Sequence, residues 1–385
     1  MGFEKTRGRK FMKSLSVKNK TLVKGIKFLL LSIMLNTSAV YAFDSVNTTE
    51  RTVTKLAEGI YVIRHPDAPS LFPQGNTTVI IGEREVLVVD TTYLPSAARE
   101  DLADIRKWTN KPVRYVVNTH WHLDHLMGNG VYLEAFPSLS IIAHKETAKQ
   151  SANYYPGILE RFPIRAESYK KMFESGKDTE GKALSEEDKN YYKQLSEGTT
   201  TVYKEYVAFP PKFANVTFEN EFYVDLGNRE VQIKFLGRGN TAGDAVVYLP
   251  KEKILIAGDL LPHPVPYFYG GYPSELLKTL RKMNQMDFQI IVPGHGEVLR
   301  DANARNYLGQ VIEVVDLVVT EVSKELDRIG AGPNKLEAVR EGVLKKIDVN
   351  AWRKKFAGDR QENQQFFDSS FPGLITYAYA EIMGR

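Results

Sequence analysis

The sequence predicts an α/β fold in which two β-rich halves pack as a sandwich with helices outside. Three observations carry this. Short runs rich in β-branched residues alternate with turns on both sides of a helical stretch near residues 145–205. Helical spacing flanks and follows those runs. Polar residues gather just past the ends of apolar runs, where the loops of a layered fold carry function.

In order along the chain, Ile60–Ile63, Thr77–Ile81 and Val86–Val89 read as strands, the last two joined through Gly82-Glu-Arg. The segment His65–Gly75 holds three prolines with Leu71 and Phe72, which makes it an expected apolar flap over a site. Ser96–Trp108 has helical spacing with Ser96 as N-cap. Pro112–Val117 is a buried strand, Met127–Phe136 a helix and Ser138–Ala143 a strand. Between 145 and 205, Lys, Glu, Tyr and Gln dominate, and the helical pattern is expected to break near Pro156, Pro163 and Gly176. This stretch reads either as an insertion overhanging the site with Tyr154 and Tyr155 or as a solvated excursion. A second strand-rich half runs from Val216 to Val292, with strands at 222–224, 231–236, 245–249, 254–257 and 289–292 and a helix at 274–286. From Asp301 the pattern is helical. The expected organisation is a leader over 1–42, a main domain over 43–300 with its insertion, and a helical extension over 301–385.

The first 42 residues carry nine Lys/Arg and one acid ahead of the apolar stretch Phe28–Leu35, then Val40-Tyr-Ala42. That order is expected of a signal peptide cleaved after Ala42. Its apolar core falls short of the roughly 20 residues a membrane span needs, so no stable span is expected after cleavage. Of 51 basic and 47 acidic residues, nine and one belong to this leader, leaving 42 and 46 in the remainder, net −4. The basicity therefore lies in the export signal, and no nucleic-acid partner is expected. The chain has no cysteine, which excludes thiolate ligands, a Cys nucleophile and disulfides. A bacterial periplasmic or secreted location fits. The sequon-like triplets at Asn47, Asn76 and Asn215 read as chance.

Chemistry concentrates in Asn118-Thr-His-Trp-His-Leu-Asp-His125: three of seven histidines fall within six positions. Imidazole and carboxylate are the usual ligands of a zinc-type ion. In an extended segment His120 and His122 point to one side, so both can grip one ion. Asp124 and His125 lie past the strand end. Three later loops carry matching groups: Gly237–Asp244, Ala257-Gly-Asp259 and Pro293-Gly-His-Gly296.

Together these runs resemble the five-motif pattern of the metallo-β-lactamase superfamily, over roughly residues 55–300. The resemblance implies an αββα sandwich with two adjoining metal positions. His120 and His122 match ligands of the first, and Asp124, His125 and His295 match those of the second. Asp259 matches the carboxylate bridging both, and Asp90 matches a buried aspartate bracing the metal loop. Asn240 stands where the family usually has a third histidine. An amide binds zinc more poorly than imidazole, so one tightly bound Zn2+ is expected, with its neighbour weak or absent. Mn2+ and Fe2+ are alternatives. His263 is a candidate replacement ligand, with a substrate-facing or structural loop role the favoured alternative; His144 is expected to cap a helix or support a ligand, and His65 receives no role.

The implied activity is metal-assisted hydrolysis of an ester, thioester, lactone or amide-type bond in a small-molecule substrate, with Asp124 orienting or deprotonating the water. Gly239–Leu255 is similar to the exported β-lactamases that have a cysteine ligand. Here Asp259 takes the cysteine's place, Pro262 replaces a drug-binding lysine and His125 an arginine, so β-lactam hydrolysis is the alternative. A catalytically weak, metal-binding partner protein is a further alternative. Phe72, Trp121, Tyr267, Phe268 and Tyr269 hint at an aromatic pocket. Sequence leaves the oligomeric state open.

Overall fold

The structure, a computed structural model, describes residues 50–384. The expected leader and its cleavage site lie outside the described residues. Strands β1 (Thr52–Ala57), β2 (Ile60–Arg64), β3 (Thr77–Ile81), β4 (Val86–Val89), β5 (Val113–Asn118), β6 (Ser140–His144) and β7 (Val216–Phe218) form one sheet in that spatial order. Strands β8 (Glu221–Asp225), β9 (Glu230–Lys234), β10 (Val246–Leu249), β11 (Ile254–Gly258), β12 (Ile290–Pro293) and β13 (Leu299–Arg300) form the other. Pairing is antiparallel through β1–β4 and parallel through β4–β7; in the second sheet only β11/β12 is parallel.

The helices are α1 (Pro95–Trp108), α2 (Asn129–Ala135), α3 (Lys145–Ser175), α4 (Glu186–Ala208), α5 (Pro273–Asn284), α6 (Asp301–Ile329), α7 (Leu336–Leu344), α8 (Val349–Ala357) and α9 (Gln361–Ile382). Alternation along each strand gives the sheets two apolar faces, and each face needs cover. Between the sheets, Val62, Ile80, Leu87, Val89, Val117 and Ile142 meet Val231, Ile233, Val247, Leu249, Ile256 and Val292. The outer face of the first sheet, with Val79, Val88, Val116 and Ile141, packs on Leu102 and Ile105 of α1 and on Tyr132 of α2. The outer face of the second, with Val246, Leu255 and Ile291, is covered by α5 and by the apolar stripes of α6 to α9. The layers run αββα, as expected. Helices α6–α9 share that single cluster with the sheet.

Four sequence expectations are corrected. α3 runs unbroken through Pro156 and Pro163 and ends only at Gly176, which takes φ 64°. An interior proline costs about 3 kcal/mol. Ile158, Phe162 and Ala166 are buried on α3, as are Leu195, Val202 and Tyr206 on α4, and large apolar side chains gain about 1.5–3 kcal/mol each on burial. Packing therefore outweighs the two breaks. α1 starts at Pro95, and Ser96 does not cap it; Ser96 N and Oγ instead donate to Glu205 of α4, at 2.9 Å each. Val216–Phe218 joins the first sheet beside β6, not the second half, because the α3–α4 hairpin returns the chain parallel to β6. Strand β1 lies before the first strand the sequence announced.

Candidate metal centre

The site is built where strands end. Asp90 follows β4, the 119–125 loop follows β5, Asp259 follows β11 and His295 follows β12. Asp90 has φ 58°, a left-handed backbone unusual for a non-glycine residue, and such strain clusters where the surroundings fix a functional group. Its carboxylate organises the neighbouring loop. Oδ1 accepts from Thr119 N and Oδ2 from Thr119 Oγ1, both at 2.8 Å. Oδ2 also lies 2.8 Å from His125 Nδ1, and Thr119 Oγ1 lies 3.0 Å from His120 Nδ1. With the Thr119 hydroxyl donating to Asp90, His120 Nδ1 must donate to Thr119. Asp90 thus fixes both imidazoles in the tautomer that leaves Nε2 bare, as a residue supporting metal ligands does.

Two groups of donors face each other there. Asp124, His125, Asp259 and His295 have ligand atoms within 4.8 Å of one another, and so do His120, His122 and Asp259. Asp259 belongs to both. Its Oδ2 lies 3.5 Å from His120 Nε2, and its Oδ1 lies 3.4 Å from His125 Nε2 and 3.5 Å from His295 Nε2. His295 Nε2 is 2.9 Å from Asp124 Oδ2. His120 Nε2, His125 Nε2 and Asp259 Oδ1 are buried without a hydrogen-bond partner among the described residues. Orphaned buried acceptors are costly unless something bonds them, and a divalent cation fits a set of bare nitrogens and carboxylate oxygens. The residues present fit the ion.

Electrostatics without an ion agree. Burial and the neighbouring His125 and His122 hold His120 well below the usual histidine range, so it stays neutral. Against the cost of burial, Asp259 and Asp124 push His295 up to about 9. Burial would raise Asp124, but His125 and His295 hold it far below the ordinary carboxylate range.

Support from further away was not legible in the sequence. Asn76 Nδ2 donates to Pro293 O (2.9 Å) and Gly296 O (3.0 Å), and Asn76 N donates to Gly294 O (2.7 Å), clamping the turn that carries His295. This buried amide is no sequon acceptor. His65, given no role, is buried; its Nδ1 meets Gly75 O and its Nε2 meets Asp101, each at 3.0 Å. Gly75 N in turn donates to Asp124 O at 3.1 Å. Arg51 closes the chain with Asp101 at 2.8 Å. Gly294 has to be glycine: a Cβ there would stand 2.0 Å from Asp259 Oδ1.

Asn240 is buried, and its Nδ2 has no partner among the described residues. His263 lies outside both donor groups, its ring edge-on to Tyr307 at 4.9 Å and its backbone N donating to His295 O. Burial lowers its pKa to about 4. His144 caps α3, accepting from Glu146 N. Trp121 packs against His122 (4.7 Å) and Tyr154 (4.6 Å), which brings the insertion to the edge of the site. Tyr155 packs instead on Phe213. Phe72 stacks on Tyr93, and Phe268 is buried in the core.

The profile of the metallo-beta-lactamase superfamily matches residues 71–295. The chain belongs to the metallo-beta-lactamase superfamily. A linear primary-alkylsulfatase of Pseudomonas sp. (strain ATCC 19151) is 25% identical over 228 residues, covering 55% of this chain and 39% of that protein. A metallo-beta-lactamase type 2 of Elizabethkingia meningoseptica is 26% identical over 90 residues, 22% of this chain and 36% of its own. The chain thus spans well under half the length of these relatives. The solved structure of the inverting sec-alkylsulfatase Pisa1 from Pseudomonas sp. superposes with a TM-score of 0.55 at 13% identity, covering 87% of this chain and 50% of that one. That share is too large to be met without part of the helical region after residue 295, so the shared fold reaches beyond the superfamily core.

Proposed function

We propose that this protein is an exported, metal-dependent hydrolase of an ester-type bond in a small molecule, with sulfate esters of apolar alcohols the first class to test. The observation that carries the reading is the pair of donor groups sharing Asp259, their bare Nε2 atoms turned inward. His120, His122 and Asp259 would hold one ion, and Asp124, His125, Asp259 and His295 the other. A bound divalent ion, taken to be zinc, supplies Lewis acidity and brings the pKa of water from about 15.7 towards about 7.

The chain's own residues do the rest. Asp124 orients the attacking water or accepts its proton. Asp90, directly at His125 and through Thr119 at His120, keeps these imidazoles aimed. Asn240 makes the His120/His122 side the weaker holder, so one equivalent is retained tightly. The sulfate-ester choice is supported by the alkylsulfatase relative; carboxylic ester, thioester, lactone and amide bonds belong to the same chemistry. β-Lactam cleavage is the second reading, supported by the 90-residue match to a metallo-beta-lactamase type 2. The leader-like first 42 residues support export to the bacterial periplasm or exterior.

The test is a hydrolysis screen of decyl sulfate, p-nitrophenyl esters, a thioester, a lactone and nitrocefin, with the chain stripped by chelator and then resupplied with zinc or manganese. Metal-restored turnover of an ester is expected. A full set of negatives with zinc bound would leave a metal-binding partner protein instead.

A further inference from the structure

The loop from Pro262 to Gly270 passes beside the donor groups, and two helices beyond the superfamily-matched span hold it. On α6, the Tyr307 hydroxyl donates to Pro264 O at 3.1 Å and also to Pro262 O. On α9, Ser370 is fully buried; its Oγ accepts from Phe268 N at 3.0 Å and donates to Pro266 O at 3.2 Å. The Ser370 side chain therefore ties down the backbone on both sides of Tyr267. One turn on, Gly373 lies so close that a Cβ would stand 2.0 Å from Phe268 O. Phe366 of α9 stacks on Tyr267 with ring centroids 6.5 Å apart, and Ser369 is bonded to the Tyr269 hydroxyl.

The product of this fastening is the place of one ring. Tyr267 stands edge-on to His122 with centroids 6.4 Å apart, while Trp121 meets the same imidazole at 4.7 Å. Trp121 is itself backed by Tyr154. Aromatic side chains thus frame His122, the least buried member of the donor groups.

We propose that Ser370 is a positioning residue for the substrate. By pinning Pro266 and Phe268 it holds Tyr267 beside His122, and Tyr267 with Trp121 grips an apolar group attached to the bond being cleaved. Helix α9 is in this sense a wall of the site. The proposal rests on the ester-hydrolase reading for the kind of molecule bound, but its test does not depend on turnover.

Decane-1-sulfonate and butane-1-sulfonate have no ester bond to cleave and differ by six methylenes. Each buried methylene is worth about a fourfold gain in affinity, so gripping even part of the longer chain separates the two. Calorimetric titration of the zinc-loaded full chain should show decane-1-sulfonate binding more than about tenfold tighter. Ser370→Ala and Tyr267→Ala should each bring that ratio below about threefold with zinc content unchanged. The double variant should be no worse than the more severe single one, since both act through one ring. A ratio near one in the unaltered protein overturns the apolar grip. A ratio kept by Ser370→Ala but lost in Tyr267→Ala overturns the positioning role. If Ser370→Ala fails to fold, Phe366→Ala tests the same support from α9, and an unchanged ratio there overturns the proposal. Turnover in the full hydrolysis screen is scored separately: chain-length preference with no substrate turned over sinks the hydrolase reading and keeps the wall, while turnover without preference does the reverse.

Discussion

Replacing Asn76 with leucine should damage the site from a distance. The amide reaches across to the turn holding His295 and donates to Pro293 O and Gly296 O at 2.9 and 3.0 Å. Leucine has similar volume and no donor, so the substitution leaves two buried carbonyls short of a partner. Each such loss costs about 1–3 kcal/mol, or roughly 2–6 kcal/mol for the pair. That is a large share of the roughly 5–15 kcal/mol that holds a domain folded. His295 sits between those carbonyls in sequence, so its imidazole should lose its fixed place as well. Loss of support for a metal ligand typically lowers affinity about 10- to 100-fold. Urea unfolding followed by circular dichroism reads the first effect on chelator-treated protein, and competition with a zinc indicator reads the second. An unfolding free energy within about 0.5 kcal/mol of the parent, together with unaltered zinc affinity, would refute the clamp.

Asp124→Ala and His295→Ala should each abolish ester turnover and retained zinc, with the circular dichroism spectrum kept; turnover surviving either change would count against the assigned centre. Asn240→His should raise tightly held metal after dialysis from one equivalent to two by atomic absorption, and two equivalents in the parent would show that the amide is no handicap. Burial raises Asp244 from 3.8 to about 7, against hydrogen bonds from Thr241 and with a push from the charge of Asp259. Between those two pH values the unfolded chain releases this proton and the folded chain keeps it, so metal-free stability should fall as pH rises through the window. The full drop is about 4 kcal/mol, and Asp244→Asn should flatten it in urea titrations; an equal slope in both proteins would contradict the assignment. Thr119→Val removes the link from Asp90 to His120 and should weaken zinc retention about 10- to 100-fold, read with the same indicator.

Much of the fold was legible because short β-branched apolar runs bounded by turn residues mark buried strands. Thr77–Ile81 and Val86–Val89 fall within the predicted bounds. Strand β1 escaped because Thr52–Ala57 is only partly buried and carries no strong apolar signal. The unbroken α3 escaped because local rules charge each proline in full, while the compensating contacts come from α4. The donor residues were visible as a cluster of rare, chemically apt side chains. Their support was not. Asn76, Thr119, His65 and Ser370 act through hydrogen bonds to groups far away in sequence, and ordinary residue types give no clue to such partners.

Asp124 is tied to Gly75, Gly75 to His65, His65 to Asp101, and Asp101 to Arg51 just ahead of the first strand. The loop of highest chemical value is thereby wired to a segment some seventy residues earlier, and through Asp259 to another far downstream. Contacts so distant along the chain form slowly, since the entropy of closing the intervening loops is lost before they are rewarded. The centre should therefore mature last, and a chain caught midway would hold every donor yet bind metal feebly.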